Sequence, residues 1–212
     1  MQDLDYAVIQ RILAGEKKAY AELVDRHKDR AMTLALKMLK NRQDAEEALQ
    51  DAFVRAFHAL PRFEWKSSFS TWFYRIVYNV CATELGKKRE ERHASIDEEE
   101  EVAIDVVSTE LPPDVALESS EFNAIVLEEI EKLPDAYGPT FTLFVVQDMS
   151  YDEIAEVTGL PLGTVKARLF RARTLLREAI VRRVGRIQEG RKKESVVAIA
   201  ARGERRNGTT AF

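Results

Sequence analysis

Apolar positions recur at helical spacing along most of this chain, and no run alternates long enough to form a sheet. Val8, Ile9, Ile12 and Leu13 make one stripe, which Gly15 is placed to stop. A second helix is predicted from about Lys17 to Leu39. Tyr20, Leu23, Val24, His27, Ala31, Leu34, Ala35 and Met38 share its face, and Asn41 breaks the run. A third begins near Asp44, with Ala45, Ala48, Leu49, Ala52, Phe53, Ala56, Phe57 and Leu60 as its apolar face and Pro61 as its end. A fourth starts near Ser70 and runs through Lys87, Lys88 and Arg89. Four helices with short connections can pack as one small bundle.

The pattern then stops. Residues 93–122 hold ten Asp and Glu and no Lys or Arg, with the Pro pair 112–113. Such a stretch buries too little apolar area to offset the entropy of ordering, so it reads as a linker. Beyond it, a helix is predicted from about Glu121 to Leu133, ended by Pro134, and an apolar stretch runs from Phe141 to Val146. Ser150 with Glu153 three residues later, ahead of Ile154 and Ala155, spells a capping box. Gly159 closes that short helix. The last helix is predicted from Leu162 to Val181, with Val165, Leu169, Ala172 and Leu176 inward. The expected fold is all-α. Two small helical domains, 1–92 and 120–181, are joined by an acidic flexible linker at 93–119. A basic tail, 182–212, is expected to be disordered apart from the apolar patch 196–201.

Composition narrows the chemistry. One Cys among 212 residues excludes an internal disulfide framework and a Cys-based metal site, and three scattered His leave little for zinc. No metal or cofactor is expected. Cys81 sits among apolar neighbours and reads as a core residue. No nucleophile–base pair or glycine-rich phosphate loop supports an enzyme. There is no apolar run of membrane-spanning length and no basic, apolar signal start, so a cytoplasmic location without membrane insertion is expected. The net charge of -4 hides opposed blocks, because 182–212 carries nine Lys and Arg against three Glu.

Residues 151–170 fit a helix-turn-helix. Ala155 permits close approach of the helices, Gly159 supplies the turn, and Val165 anchors the second helix on the first. From Val157 to Arg177 there is no Asp or Glu, while Lys166, Arg168, Arg171, Arg173 and Arg177 stand there. A helix of one charge sign calls for an anionic partner. Lys166, Phe170 and Arg171 lie away from Val165 and Leu169. They are the candidates for reading base edges, since Lys and Arg suit guanine and Phe suits the thymine methyl. Thr164, Arg168 and Arg173 are placed for phosphates.

Both Trp residues fall within FEWKSSFSTWFYRIVY, 63–78. Phe73 and Ile76 fit a core. Trp65, Lys66, Ser67 and Ser68 stand in a polar loop, where an aromatic face can stack on an unpaired base. Trp72, Arg75 and Asn79 share one helix face, and Lys87, Lys88 and Arg89 extend it with positive charge. One domain thus suits single-stranded DNA and the other duplex DNA.

With these residues in view, the chain resembles the extracytoplasmic-function sigma factors, initiation subunits of bacterial RNA polymerase. The matching stretches are AYAELVDRHKDRAMTLALKML, DAEEALQDAFVRAFHAL, FSTWFYRIVYNV, LPDAY and MSYDEIAEVTGLPLGTVKARLFRARTLLRE, in the family's order. The resemblance implies two helical domains, region 2 and region 4, and no enzymatic activity. It implies that the DAEEALQDAF helix docks on polymerase, with Gln50, Asp51 and Arg55 off the apolar stripe as contacts. It further implies that Trp65 to Ser68 capture a flipped base of the minus-ten element beside Arg75 and Asn79, and that Lys166, Phe170 and Arg171 read the minus-thirty-five element. The partners it implies are polymerase core, through the β′ clamp helices and the β flap, promoter DNA in duplex and single-stranded form, and an anti-sigma factor. Three positions depart from the family. Trp65 lies near a usual Gly, Asp148 stands where Gly is common, and Gly138-Pro139 interrupts a segment that is usually plain helix. The alternative reading is a free-standing helix-turn-helix repressor or activator, which would need a ligand-binding or dimerising module in place of the N-terminal bundle.

Overall fold

The computed structural model describes the backbone of residues 2–93, 125–126 and 128–206, and the side chains of 4–88, 125–126 and 128–186. Among the described residues every regular element is helical, as the periodicity predicts. We number the α-helices α1 (Gln2–Leu13), α2 (Tyr20–Leu39), α3 (Arg42–Ala59), α4 (Phe69–His93), α5 (Gly138–Val145), α6 (Tyr151–Thr158) and α7 (Leu162–Arg206). Single 3-10 turns at Lys17–Ala19 and Leu60–Arg62 lead into α2 and out of α3. The linker expected at 93–119 falls, apart from His93, outside the described residues. The helix expected from 121 to 133 is described only in its second half, where the backbone is helical at 125–126 and 128–131.

The chain divides into two compact units, 1–106 with 134–172, and 107–133 with 173–212. In the first, α2, α3 and α4 pack pairwise and α1 lies on α2. Of the apolar positions read from the sequence, Ile9, Leu23, Ala31, Leu34, Ala52 and Phe73 are fully enclosed; Ile76, also read as core, is half-buried, and its neighbour Val77 is enclosed instead. Helices α5 and α6 belong to the same unit, with α5 on α2 and α6 on α4. In the second unit, Arg183 of α7 bridges Glu128 at 2.6 Å and Glu129 at 2.9 Å.

Two local expectations change. Asn41 does not break a helix so much as start one. Lys40 ends α2 in the left-handed conformation, and the Asn41 side chain accepts the Asp44 amide at 3.1 Å as the N-cap of α3. Pro139 likewise opens α5 instead of interrupting it, because a Pro in the first turn has no helical hydrogen bond to lose. A third difference is larger. Helix α7 continues from Leu162 through Arg206, past the end expected near Val181 and through most of the segment read as a disordered tail. No Pro interrupts that stretch, and its Lys, Arg, Glu and Ala content favours helix.

Buried charge fixes α1. Asp5 is 2% exposed and accepts from Arg26 and, at 3.1 Å, meets the Nε2 of buried His27. Burial alone would raise the Asp5 pKa. The hydrogen bonds from His27 and Arg26 outweigh it and hold the carboxyl below its ordinary value. Cys81 is fully enclosed, and burial pushes its thiol up to about 12, which fits the core role read from its neighbours.

A candidate promoter-binding surface

The turn between α6 and α7 is built as the sequence spells it. Ser150 accepts the Glu153 amide at 3.3 Å, and Glu153 accepts the Ser150 amide at 2.9 Å, completing the capping box. Gly159 ends α6 at φ +70°, a conformation only glycine adopts at no steric cost. Val165, Leu169 and Ala172 of α7 are fully buried, so the opposite face carries the cations. Lys166 and Arg173 are exposed, and Thr164, Arg168, Phe170 and Arg171 are half-buried. All six candidates therefore reach the surface of one helix that has no carboxylate from its start to Arg177.

The aromatic cluster splits in two. Phe69 and Phe73 are buried and stack with rings nearly parallel, 5.9 Å apart, against His27. Phe63, Trp65 and Trp72 form an outer row, with Trp65 38% exposed. Trp65 is at φ +58°, in the left-handed region. A bulky residue there costs roughly 1–2 kcal/mol, a strain that clusters at binding sites. Asp148, the other departure, also adopts positive φ, +55°, which a short polar side chain tolerates. Ser68 caps α4, accepting the Thr71 amide at 3.0 Å. Lys66 lies 2.5 Å from Glu64 and is otherwise open to solvent, and Ser67 is half-buried.

Several predicted cations already have carboxylate partners. Lys87 pairs with Glu84 at 2.7 Å, and Lys88 pairs with Asp44 of α3. The side chain of Arg89 lies outside the described residues. Arg75 lies 3.5 Å from Glu156 of α6, and Thr71 donates to Glu153 at 2.9 Å, so the first helix of the turn motif lies along the face of α4 that carries Arg75. Burial would raise the Glu153 pKa, but hydrogen bonds from Ser150 and Thr71 hold it below its ordinary value. Asn79 is exposed and Trp72 half-buried on that helix.

On α3, Gln50 is exposed, and Asp51 and Arg55 form an i,i+4 pair at 2.8 Å. Beside them lies a feature the sequence reading missed, an apolar groove of about 680 Å³ lined by Tyr20, Phe53, Val54 and Phe57 and flanked by Lys17 and Lys18. Phe53 and Phe57 belong to the apolar stripe but stay half-buried, and Val54 is 55% exposed. The Tyr20 hydroxyl donates to the Phe53 carbonyl at 2.7 Å and fixes one wall. No group of three or more His, Cys, Asp or Glu that could hold a metal occurs among the described residues. No helix among them is long and apolar enough to cross a membrane.

A carboxylate-free recognition helix behind a capped turn, with an exposed row of aromatic rings on the N-terminal helices, defines a DNA-binding protein of the helix-turn-helix class. Comparison with known proteins gives the family. The sigma-70 region 2 model matches residues 23–91, and the sigma-70 region 4 model matches 123–176. The chain is 33% identical to the ECF RNA polymerase sigma factor SigW of Bacillus subtilis, over 81% of this chain and 94% of that protein. It is 32% identical to the ECF RNA polymerase sigma-E factor of Escherichia coli K12, over 80% and 90%. Among solved structures it is similar to CnrH in complex with the cytosolic domain of CnrY, with TM-score 0.55, 25% identity, and coverage of 81% and 94%. It shares its fold with the sigma factor RpoE of Bartonella quintana, solved with the anti-sigma factor NepR, at TM-score 0.56, 22% identity, and coverage of 77% and 97%. The chain belongs to the extracytoplasmic-function group of the sigma-70 family and is a promoter-directing transcription initiation factor.

Proposed function

We propose a division of labour along the chain. Residues 1–92 serve as region 2, bind polymerase core and open the minus-ten element; residues 120–181 serve as region 4 and read the minus-thirty-five element. The protein has no catalysis of its own and works with polymerase in the cytoplasm. What carries this reading is the split of the aromatic cluster. A bundle that needed Trp65 only for its core would bury it, whereas here the inner rings fill the core and the outer ones meet solvent. Trp65, Lys66, Ser67 and Ser68 then capture an unpaired base, and Trp72, Arg75 and Asn79 face the strand. On α7, Lys166, Phe170 and Arg171 read bases while Thr164, Arg168 and Arg173 hold phosphates. Transcription in vitro with core polymerase tests the whole reading. Promoter-specific transcripts are expected, and duplex binding without core would indicate a free-standing repressor instead.

Gln50, Asp51 and Arg55 form the docking face for the β′ clamp helices, and the adjoining groove extends it with apolar area. Asp51→Arg places two cations one turn apart where an ion pair now stands. Core affinity is expected to fall about tenfold or more, because like charges across an interface cost several kcal/mol. A pull-down with core reads the loss, and unchanged circular dichroism shows that folding survives. An anti-sigma factor is the second expected protein partner, as the sigma factor RpoE of Bartonella quintana was solved with the anti-sigma factor NepR.

For Arg75 to reach DNA it must leave Glu156. Glu156→Gln removes that competing anion. The pair is exposed and long, so it is worth at most about 1 kcal/mol. Binding of the full chain to an unpaired minus-ten strand should therefore tighten by no more than about fivefold. Fluorescence anisotropy measures it, and unchanged affinity would show that Arg75 is not held back by this pair.

A further inference from the structure

We infer that Tyr6 of α1 is a further base-stacking residue of the strand-binding site. This rests on the capture-loop reading above and extends it to an element outside the matched region 2 segment. The outer aromatic row does not stop at Trp65. Tyr6 packs on it with ring centroids 4.8 Å apart at 54°. Trp65 meets Phe63 at 4.6 Å, and Phe63 meets Trp72 at 4.9 Å. Four rings thus run in sequence from α1, through the loop, onto α4. Tyr6 is 51% exposed and Trp65 38%, so both partners of this contact reach solvent.

The ring is also held in place. Its neighbour Asp5 is buried against Arg26 and His27, and His27 packs edge-on to Phe69 and Tyr74 of α4. Val8, Ile9 and Ile12 bury the same helix against the bundle. Helix α1 therefore cannot slide along the loop without breaking the buried Asp5 carboxylate from its partners and exposing three apolar side chains. A tyrosine fixed in contact with an exposed tryptophan enlarges the exposed aromatic surface by a second ring, suited to a flat, apolar ligand. The ligand class is an unpaired nucleobase, and stacking is the interaction that every base can make. Tyr6 adds no charge, so its contribution does not depend on counterion release.

The test uses holoenzyme with core polymerase on a fork-junction promoter whose non-template minus-ten strand is unpaired, with 2-aminopurine placed singly at each unpaired position. Tyr6→Ala is expected to weaken binding about tenfold, with the slope against salt unchanged, and to release the fluorescence quench at one position. Tyr6→Phe should behave as the parent, because the ring is what acts. Tyr6→Leu, which keeps apolar packing on Trp65 without a π-face, should behave as Tyr6→Ala. Full binding by Tyr6→Leu would overturn the inference and leave Tyr6 as packing. Parent-like binding by Tyr6→Ala beside weak binding by Trp65→Ala would overturn it too, with the capture loop intact. Parent-like binding by both variants would overturn the capture-loop reading as well.

Discussion

Holoenzyme carrying Trp65→Ala with Ser67→Ala is expected to occupy duplex promoter normally and to fail at opening the minus-ten element. On the proposed division of labour, recognition of the duplex belongs to α7, whose cationic face neither substitution touches. Opening is different, because extruding a base from the stack costs a few kcal/mol that the loop must offset. Stacking on Trp65 supplies roughly 1–3 kcal/mol of it, so the open fraction should drop about five- to 150-fold. A pre-melted template has already met that cost, and the defect should shrink on it. Trp65→Gly sharpens the test. Glycine accepts the φ of +58° without strain, so the loop backbone is retained while the ring is lost. It should fail in the same way. Permanganate footprints equal to the parent's on duplex promoter would assign the loop to structure.

The helices were legible because their stripes are long and their punctuation is chemical. The capping box at Ser150, the left-handed Gly159 and the buried Val165 all stand where spacing puts them. Periodicity shows which face is apolar but not whether a neighbour covers it. Phe53 and Phe57 therefore read as core, although they line an open groove. Charge runs have the same blindness. Lys88 and Arg75 look like unpaired cations in sequence, and their partners, Asp44 and Glu156, come from other helices. The contact of Thr71 with Glu153 joins positions 82 residues apart across an acidic stretch, and no local pattern encodes it. Asn41 was visible as a boundary but misread as a stop, since an N-cap residue ends one helix's run as it begins the next. The length of α7 is legible after all: no Pro interrupts the stretch after Val181 and its Lys, Arg, Glu and Ala content favours helix, but its net positive charge and lack of a long apolar face point the other way.

Arg171→Ala is expected to relax base preference in the minus-thirty-five element without changing core binding. On α7 the buried residues Val165, Leu169 and Ala172 fix the helix by one face, and on the proposed reading the other face enters the major groove. An arginine that reaches a guanine edge in two hydrogen bonds discriminates by roughly 1–3 kcal/mol, so preference at one position should fall about five- to 150-fold. Arg168→Ala provides the contrast. As a phosphate contact it should weaken binding to all sequences alike and reduce the slope of affinity against salt by about one. A selection of holoenzyme against a randomised minus-thirty-five library separates the two effects, because one variant flattens a single column of the preference and the other none. An unchanged preference in Arg171→Ala would move base reading elsewhere on the same face, to Lys166 and Phe170. A salt slope altered by Arg171→Ala and not by Arg168→Ala would exchange their roles, since only a lost phosphate contact changes the number of counterions released.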